Sequence, residues 1–202
     1  MISNNSMQNQ RSIIKLFLLI LAFYLTTSFI NGSTKKSSTS TEISNSQKAT
    51  PIIAAKGDFN GDGKIDSMWL IPPKIATNDQ DCMGDCKSYI KFSDPNIPSI
   101  KVENCIGGVP TNLGDLNQNG TAEVGLLPEW FSSYWSAYYV WTYINGKWIQ
   151  AVSPFSTHTS QLDNGVKPIE VDKNKSGYVI IRYSELSGED IVTKTKSVKI
   201  KK

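Results

Sequence analysis

The chain has 202 residues, with 21 Lys and Arg against 18 Asp and Glu, one His, three Cys and 20 aromatic residues. That length holds one domain with a tail, or two small domains at most, and excludes a multidomain enzyme. The formal charge of +3 falls to +1 once Arg11 and Lys15 are set aside with the N-terminal segment they open, so the basic footprint of a nucleic-acid binder is absent.

Arg11 and Lys15 precede an apolar run, LFLLILAFYL from Leu16 to Leu25, followed by Thr26, Thr27, Ser28 and then Phe29 and Ile30. This is the charged region and hydrophobic region of an export signal. From Leu16 to Ile30 the run spans about 22 Å as a helix, short of the ~30 Å hydrocarbon core of a bilayer. A signal peptide over 1–32 is therefore expected, cleaved near Gly32 or, as second choice, near Ser28, with an uncleaved signal anchor as the weaker reading; cleavage leaves no stable membrane span and gives a secreted, periplasmic or extracellular destination. Residues 33–50, STKKSSTSTEISNSQKAT, carry too little apolar surface to repay the entropy of ordering and read as a disordered polar linker. Residues 51–202 then form a single β domain, long enough to bury roughly two-thirds of its unfolded surface.

Two stretches of that domain carry the chemistry. In KGDFNGDGKIDSMWL, Asp58, Asn60, Asp62 and Asp66 stand at offsets 0, 2, 4 and 8, with the carbonyl of Lys64 at offset 6. In LGDLNQNGTAEVGLL the same offsets hold Asp115, Asn117, Asn119, Thr121 and Glu123. Short oxygen-bearing side chains on alternate residues of a tight loop converge on one point, and calcium takes six to eight such oxygens. Asp, Asn and Gly are also ordinary hairpin residues, but turn chemistry alone does not call for one register twice. In a helix-loop-helix calcium hand the twelfth loop residue is a bidentate Glu; here it is Trp69 or Leu126. Both loops run instead into β-type segments, Ser67 to Ile71 and Val124 to Leu127, closed by Pro72, Pro73 and Pro128. These are strand-loop-strand turns.

GDFNGDGKID resembles the loop of the FG-GAP or VCBS repeat, the calcium-carrying element in the blades of integrin α-chain propellers and of many bacterial surface proteins. The resemblance covers about ten residues per copy. It implies two structural Ca2+ ions, one ligated by Asp58, Asn60, Asp62, the Lys64 carbonyl and Asp66, the other by Asp115, Asn117, Asn119, the Thr121 carbonyl and Glu123.

Repeats of this kind recur at a fixed period. Asp58 and Asp115 are 57 residues apart, and a further 57 reaches Asp172 in VDKNKSGYVIIRY. Asp172, Asn174, Ser176 and Gly177 keep the frame, while Ile180 replaces the last carboxylate; a hairpin turn is the preferred reading and a decayed third copy the other. Three such units fall short of the four blades of the smallest closed propeller. The fold expected is all-β, a small antiparallel domain that is partly propeller-like or related.

Ala137 to Ile144 and Trp148 to Val152 flank Asn145-Gly146, the preferred pair for a two-residue type I′ hairpin. The register that follows pairs Tyr143 with Trp148, Trp141 with Gln150 and Tyr139 with Val152, an aromatic ladder on one face. Ile169–Val171, Tyr178–Tyr183 and Ile191–Ile200 continue the β pattern. Only Glu129–Ser136 leaves room for a helix. Ten of the 20 aromatics fall between Trp130 and Phe155. Most read as core, and the segment Trp130, Phe131, Tyr134 and Trp135, loosened by Ser132, Ser133 and Pro128, is the candidate surface for a protein or glycan partner.

Three cysteines suit an exported domain. A bond from Cys86 or Cys82 to Cys105 is the first expectation and a local Cys82–Cys86 bond the second. Zinc lacks a fourth ligand, because the lone His158 lies far along the chain. His158 with Ser156, Ser160 and Asp163 is the composition of a polar loop and not a catalytic motif. The function expected is a secreted, calcium-stabilised binding or adhesion module and not an enzyme, with a small secreted hydrolase or an inhibitor of an extracellular enzyme as the alternative.

Overall fold

A computed structural model describes residues 53–78 and 80–202. The chain divides after Gln47, and all of these residues belong to the second unit, Lys48–Lys202. The expected signal peptide (1–32) and linker (33–50) lie outside the described residues.

The described chain is a succession of three antiparallel sheets. The first contains β1 (Ala55–Gly57), β2 (Asp66–Ile71), β3 (Lys87–Phe92) and β4 (Ile100–Glu103), in chain order. The second contains β5 (Thr111–Asn112), β6 (Val124–Leu126), β7 (Trp135–Ile144) and β8 (Lys147–Gln150), with β9 (Phe155–His158) against the first half of β7. The third contains β10 (Ile169–Val171), β11 (Tyr178–Ser187) and β12 (Asp190–Lys199). The small all-β antiparallel domain expected from the sequence is what forms.

The side-chain period of two explains the packing. In β4, Ile100 and Val102 face inward while Lys101 and Glu103 face water. Along β7 the alternation has a different consequence, because the second sheet is covered on both faces. Trp141 joins Phe59, Met68, Ile90 and Phe92 in a core shared with the first sheet. Tyr138 and Val140 join Phe155, Ile169, Val179 and Ile181 in a core shared with the third. The aromatic ladder is thus largely interior: Tyr139 stacks on Trp141 at 5.5 Å and Phe92 on Trp148 at 5.2 Å.

The hairpin turns at Asn145-Gly146 with φ of 51° and 78°, the two positive values a type I′ turn requires. Tyr143 pairs with Trp148 and Trp141 with Gln150, as read from the sequence. The expected Tyr139–Val152 pair does not form. Strand β8 ends at Gln150, and the next residues to pair with β7 are those of β9, with Phe155 opposite Tyr138.

Two further corrections concern local structure. Glu129–Tyr134 forms bridges and turns, Trp135 and Ser136 open β7, and the helix found among the described residues is a five-residue one, α1 (Thr159–Asp163), capped by His158. The disulfide joins Cys82 to Cys86, and Cys105 is free and buried. Cys86 and Cys105 are neighbours through their backbones, the Cys105 amide donating to the Cys86 carbonyl at 3.2 Å. The Cys105 side chain nevertheless points into the first core, its Sγ donating to the Gly107 carbonyl at 3.1 Å. Burial pushes the Cys105 thiol up, which suppresses the reactive thiolate. A disulfide indicates an oxidising compartment. No helix among the described residues is long and apolar enough to cross a membrane.

Candidate metal loops

Each of the first two sheets joins its first strand to its second through one of the two Asp-Asn-Gly loops. In the first, Asp58 accepts hydrogen bonds from the amides of Gly61 (2.7 Å) and Gly63 (2.9 Å), Asn60 from Asp62 (3.1 Å) and Asp62 from Lys64 (2.9 Å). The second repeats the ladder: Asp115 accepts from Asn119 (3.0 Å) and Gly120 (2.9 Å), Asn117 from Asn119 (3.0 Å), and Asn119 from Thr121 (2.9 Å). These are turn-forming side chains satisfying their own backbone. Hairpin chemistry accounts for the first three positions of both loops.

It does not account for the last carboxylate. Asp66 is 7% exposed; its Oδ1 accepts from the Ser93 hydroxyl at 3.3 Å and its Oδ2 has no partner. Glu123 is 0% exposed; its Oε2 accepts the Leu116 amide at 2.6 Å and its Oε1 has no partner. Among the described residues, these two oxygens are the buried side-chain polar atoms left unpaired. Each occupies the same position of its loop. An unpaired buried acceptor costs about 1–3 kcal/mol, more when charged, and a proton, a water or a cation relieves it.

Titration follows the same cause. Burial pushes Glu123 up to about 7, the nearby Thr142 hydroxyl and the Leu116 amide opposing it, and the Asp115 charge adds to the rise. Burial also raises Asp66, the Ser93 bond opposing it and the charges of Asp94, Asp62 and Asp58 adding. Asp62, at the exposed edge of the first loop, is lowered chiefly by the Lys64 amide.

The donor set fits a hard cation. Side-chain oxygens of Asp58, Asn60, Asp62 and Asp66, with the Lys64 carbonyl, are all oxygen ligands, as are Asp115, Asn117, Asn119, Glu123 and the Thr121 carbonyl. The first-loop carboxylates stand wider than a mutual 4.8 Å; among the described residues, the group of acidic or thiol ligand atoms within that distance is Asp81, Cys82 and Cys86. Its two sulfurs are joined to each other and so are lost as thiolate ligands.

Tertiary structure adds residues that no loop motif contains. The turn after β3 brings Ser93 to Asp66 and Asp94 to Asn60, whose Nδ2 donates to Asp94 Oδ2 at 3.1 Å. In the second sheet, Asn117 Nδ2 donates to Thr142 Oγ1 on β7 at 3.0 Å. The loops also touch each other: the Ala122 amide donates to the Asp58 carbonyl at 2.8 Å. At Gly57, just before the first loop, a Cβ would lie 2.4 Å from Asn112 Nδ2, so a side chain there would displace the Asn112 amide from its place between β1 and β5.

The turn at Asp172 occupies the same place in the third sheet, between its first and second strands. It is shorter, with Asp172 receiving back the strand at Tyr178, whereas the first loop runs to Asp66. Asp172 accepts from the Asn174 amide (3.0 Å) and the Ser197 hydroxyl (2.6 Å), and Ile180 pairs with Glu170 within the sheet. Asp172 and Ile180 are thus engaged within the third sheet itself.

Of the four candidate surface aromatics, Tyr134 is 69% and Trp130 36% exposed, while Phe131 and Trp135 are half-buried. Tyr134 stands at the rim of a cavity of about 700 Å³ between the second and third sheets, floored by Leu113, Leu116, Leu127 and Tyr138. His158 packs its ring on Trp135 at 5.0 Å and accepts the Ser160 amide through Nδ1 at 3.2 Å. Its 2.7 Å contact with the Ser160 hydroxyl belongs to that helix cap.

No family model matches the chain, and no curated protein or solved structure matches it.

Proposed function

We propose that the chain is an exported, calcium-stabilised β domain of FG-GAP-like character that acts by binding a protein or glycan at the cell exterior. The observation that carries this reading is the recurrence of one unpaired, buried carboxylate oxygen at the last ligand position of both loops. Two ions, one per loop, would pair those oxygens and neutralise the clustered carboxylates. They would stabilise the fold by mass action in a calcium-rich exterior. The disulfide and the N-terminal apolar run support export. The exposed Tyr134 and Trp130 supply the kind of aromatic area with a polar handle that partner surfaces use.

Calorimetric titration of the metal-stripped chain with calcium, with thermal melts alongside, tests the proposal. The expected result is two bound ions and a raised melting temperature. Asp58→Ala with Asp62→Ala should lower the melt more in millimolar calcium than in EGTA, where only the turn bonds from the Gly61, Gly63 and Lys64 amides are lost. Equal losses in both conditions would reduce the loops to turns.

A further inference from the structure

We propose that Asp94, which lies outside both loop motifs, is a fourth carboxylate of the first cation site, and that it makes the first site stronger than the second. The inference rests on the calcium reading above and concerns how the two sites differ.

Continuing the β2–β3 register from the Met68–Phe92 pair places Asp94 opposite Asp66. Continuing the β6–β7 register from the Val124–Trp141 pair places Thr142 opposite Glu123. Asp94 and Thr142 are therefore structural counterparts, each across from the last carboxylate of its loop. Both accept the same hydrogen bond, from the Nδ2 of the third-position Asn: Asn60 to Asp94 at 3.1 Å, Asn117 to Thr142 at 3.0 Å. In both cases that bond turns the Asn carbonyl oxygen toward the loop amides, where Asp62 and Asn119 donate to it.

What differs is charge. Thr142 is a neutral hydroxyl, fully buried. Asp94 is a half-buried carboxylate whose other oxygen is held by the Asn96 amide and side chain at 2.8 and 2.9 Å. It forms no ion pair among the described residues. The first site thus gathers Asp58, Asp62, Asp66 and Asp94, and the second only Asp115 and Glu123. Two features meet at the first site: the Oδ2 of buried Asp66 is unpaired, and Asp94, opposite it, has no cationic side chain against it among the described residues. Affinity for calcium rises with the number of carboxylates around the ion, and outer carboxylates that orient a ligand are commonly worth 10- to 100-fold.

The test is calcium calorimetry on the metal-stripped full chain carrying Asp94→Asn, in the parent and in a Glu123→Gln background that removes the weaker site. Asp94→Asn keeps the size of the side chain and removes its charge together with one of its two acceptors, those held by Asn60 and by Asn96. The parent should show a tight and a weaker class, and Asp94→Asn should weaken the tight class about tenfold or more while leaving the weaker one in place. The variant should lose less stability in EGTA, where only the bonds to Asn60 or Asn96 are affected, than in calcium. A parent that binds no calcium overturns the calcium reading itself. A parent that binds two ions while Asp94→Asn leaves both affinities unchanged, or weakens both alike, overturns the role of Asp94 alone. A loss of stability in EGTA as large as that in calcium overturns it too, by making Asp94 a turn residue only.

Discussion

Glu123 concentrates the physics of this protein in one side chain. It is a fully buried carboxyl with one oxygen on the Leu116 amide and the other unpaired. Folded and metal-free, it holds its proton to about 7, where an unburied Glu releases it near 4.5. The folded pKa is raised, so between those values the folded state carries more protons than the unfolded one. Stability is then lost as pH rises from 4.5 toward 7. The span corresponds to on the order of 3 kcal/mol. Denaturant unfolding in EGTA should therefore show the parent less stable at pH 8 than at pH 5, and Glu123→Gln should flatten much of that slope. An unchanged slope in the variant would show that Glu123 is not the titrating group. Asp66, raised by burial and by three neighbouring carboxylates, acts in the same direction.

Among the elements, the junction of β1 and β5 ties the first sheet to the second. The Asn112 side chain donates to the Lys56 carbonyl at 2.7 Å and accepts the Gly114 amide at 2.7 Å, so it is fixed from both ends. A methyl at position 57 would collide with it. Gly57→Ala should cost about 1–3 kcal/mol by overpacking, and a double-mutant cycle with Asn112→Ala should recover part of that. Additive losses would place the strain elsewhere, for instance on the Phe59 ring, which also lies near the new methyl at 3.3 Å. The hairpin at Asn145-Gly146, by contrast, was legible in sequence because its turn type is set by two adjacent residues. Its pairing beyond Gln150 was not, because β8 stops there and the next residues to pair with β7 belong to β9, from Phe155 opposite Tyr138.

Across the whole molecule, the second sheet is the shared member of both cores, and the loops of the first two sheets are joined through the Ala122–Asp58 bond. The chain end adds a third tie: the Lys201 carbonyl accepts from Asn117 Nδ2 at 2.9 Å and the Lys201 amide donates to Ala151 at 2.9 Å. An arrangement with no freestanding sheet should unfold in one transition. Differential scanning calorimetry is expected to show a single peak that moves as a whole when calcium is added. Two resolved peaks, only one of them calcium-sensitive, would show that the third sheet melts apart from the other two.

By itself the sequence determined the β class, the strand-loop-strand setting of the two Asp-Asn-Gly loops, and the type of the hairpin turn. Each of these depends on residues close in the chain, through side-chain alternation and turn preference. Tertiary structure decided what depends on distant residues meeting. It left Asp66 and Glu123 with one unpaired oxygen each, set Asp94 and Thr142 opposite them, and turned Cys105 into the core so that Cys82 closed on Cys86. Register and burial are properties of the packed sheets, and no spacing within a ten-residue loop encodes them.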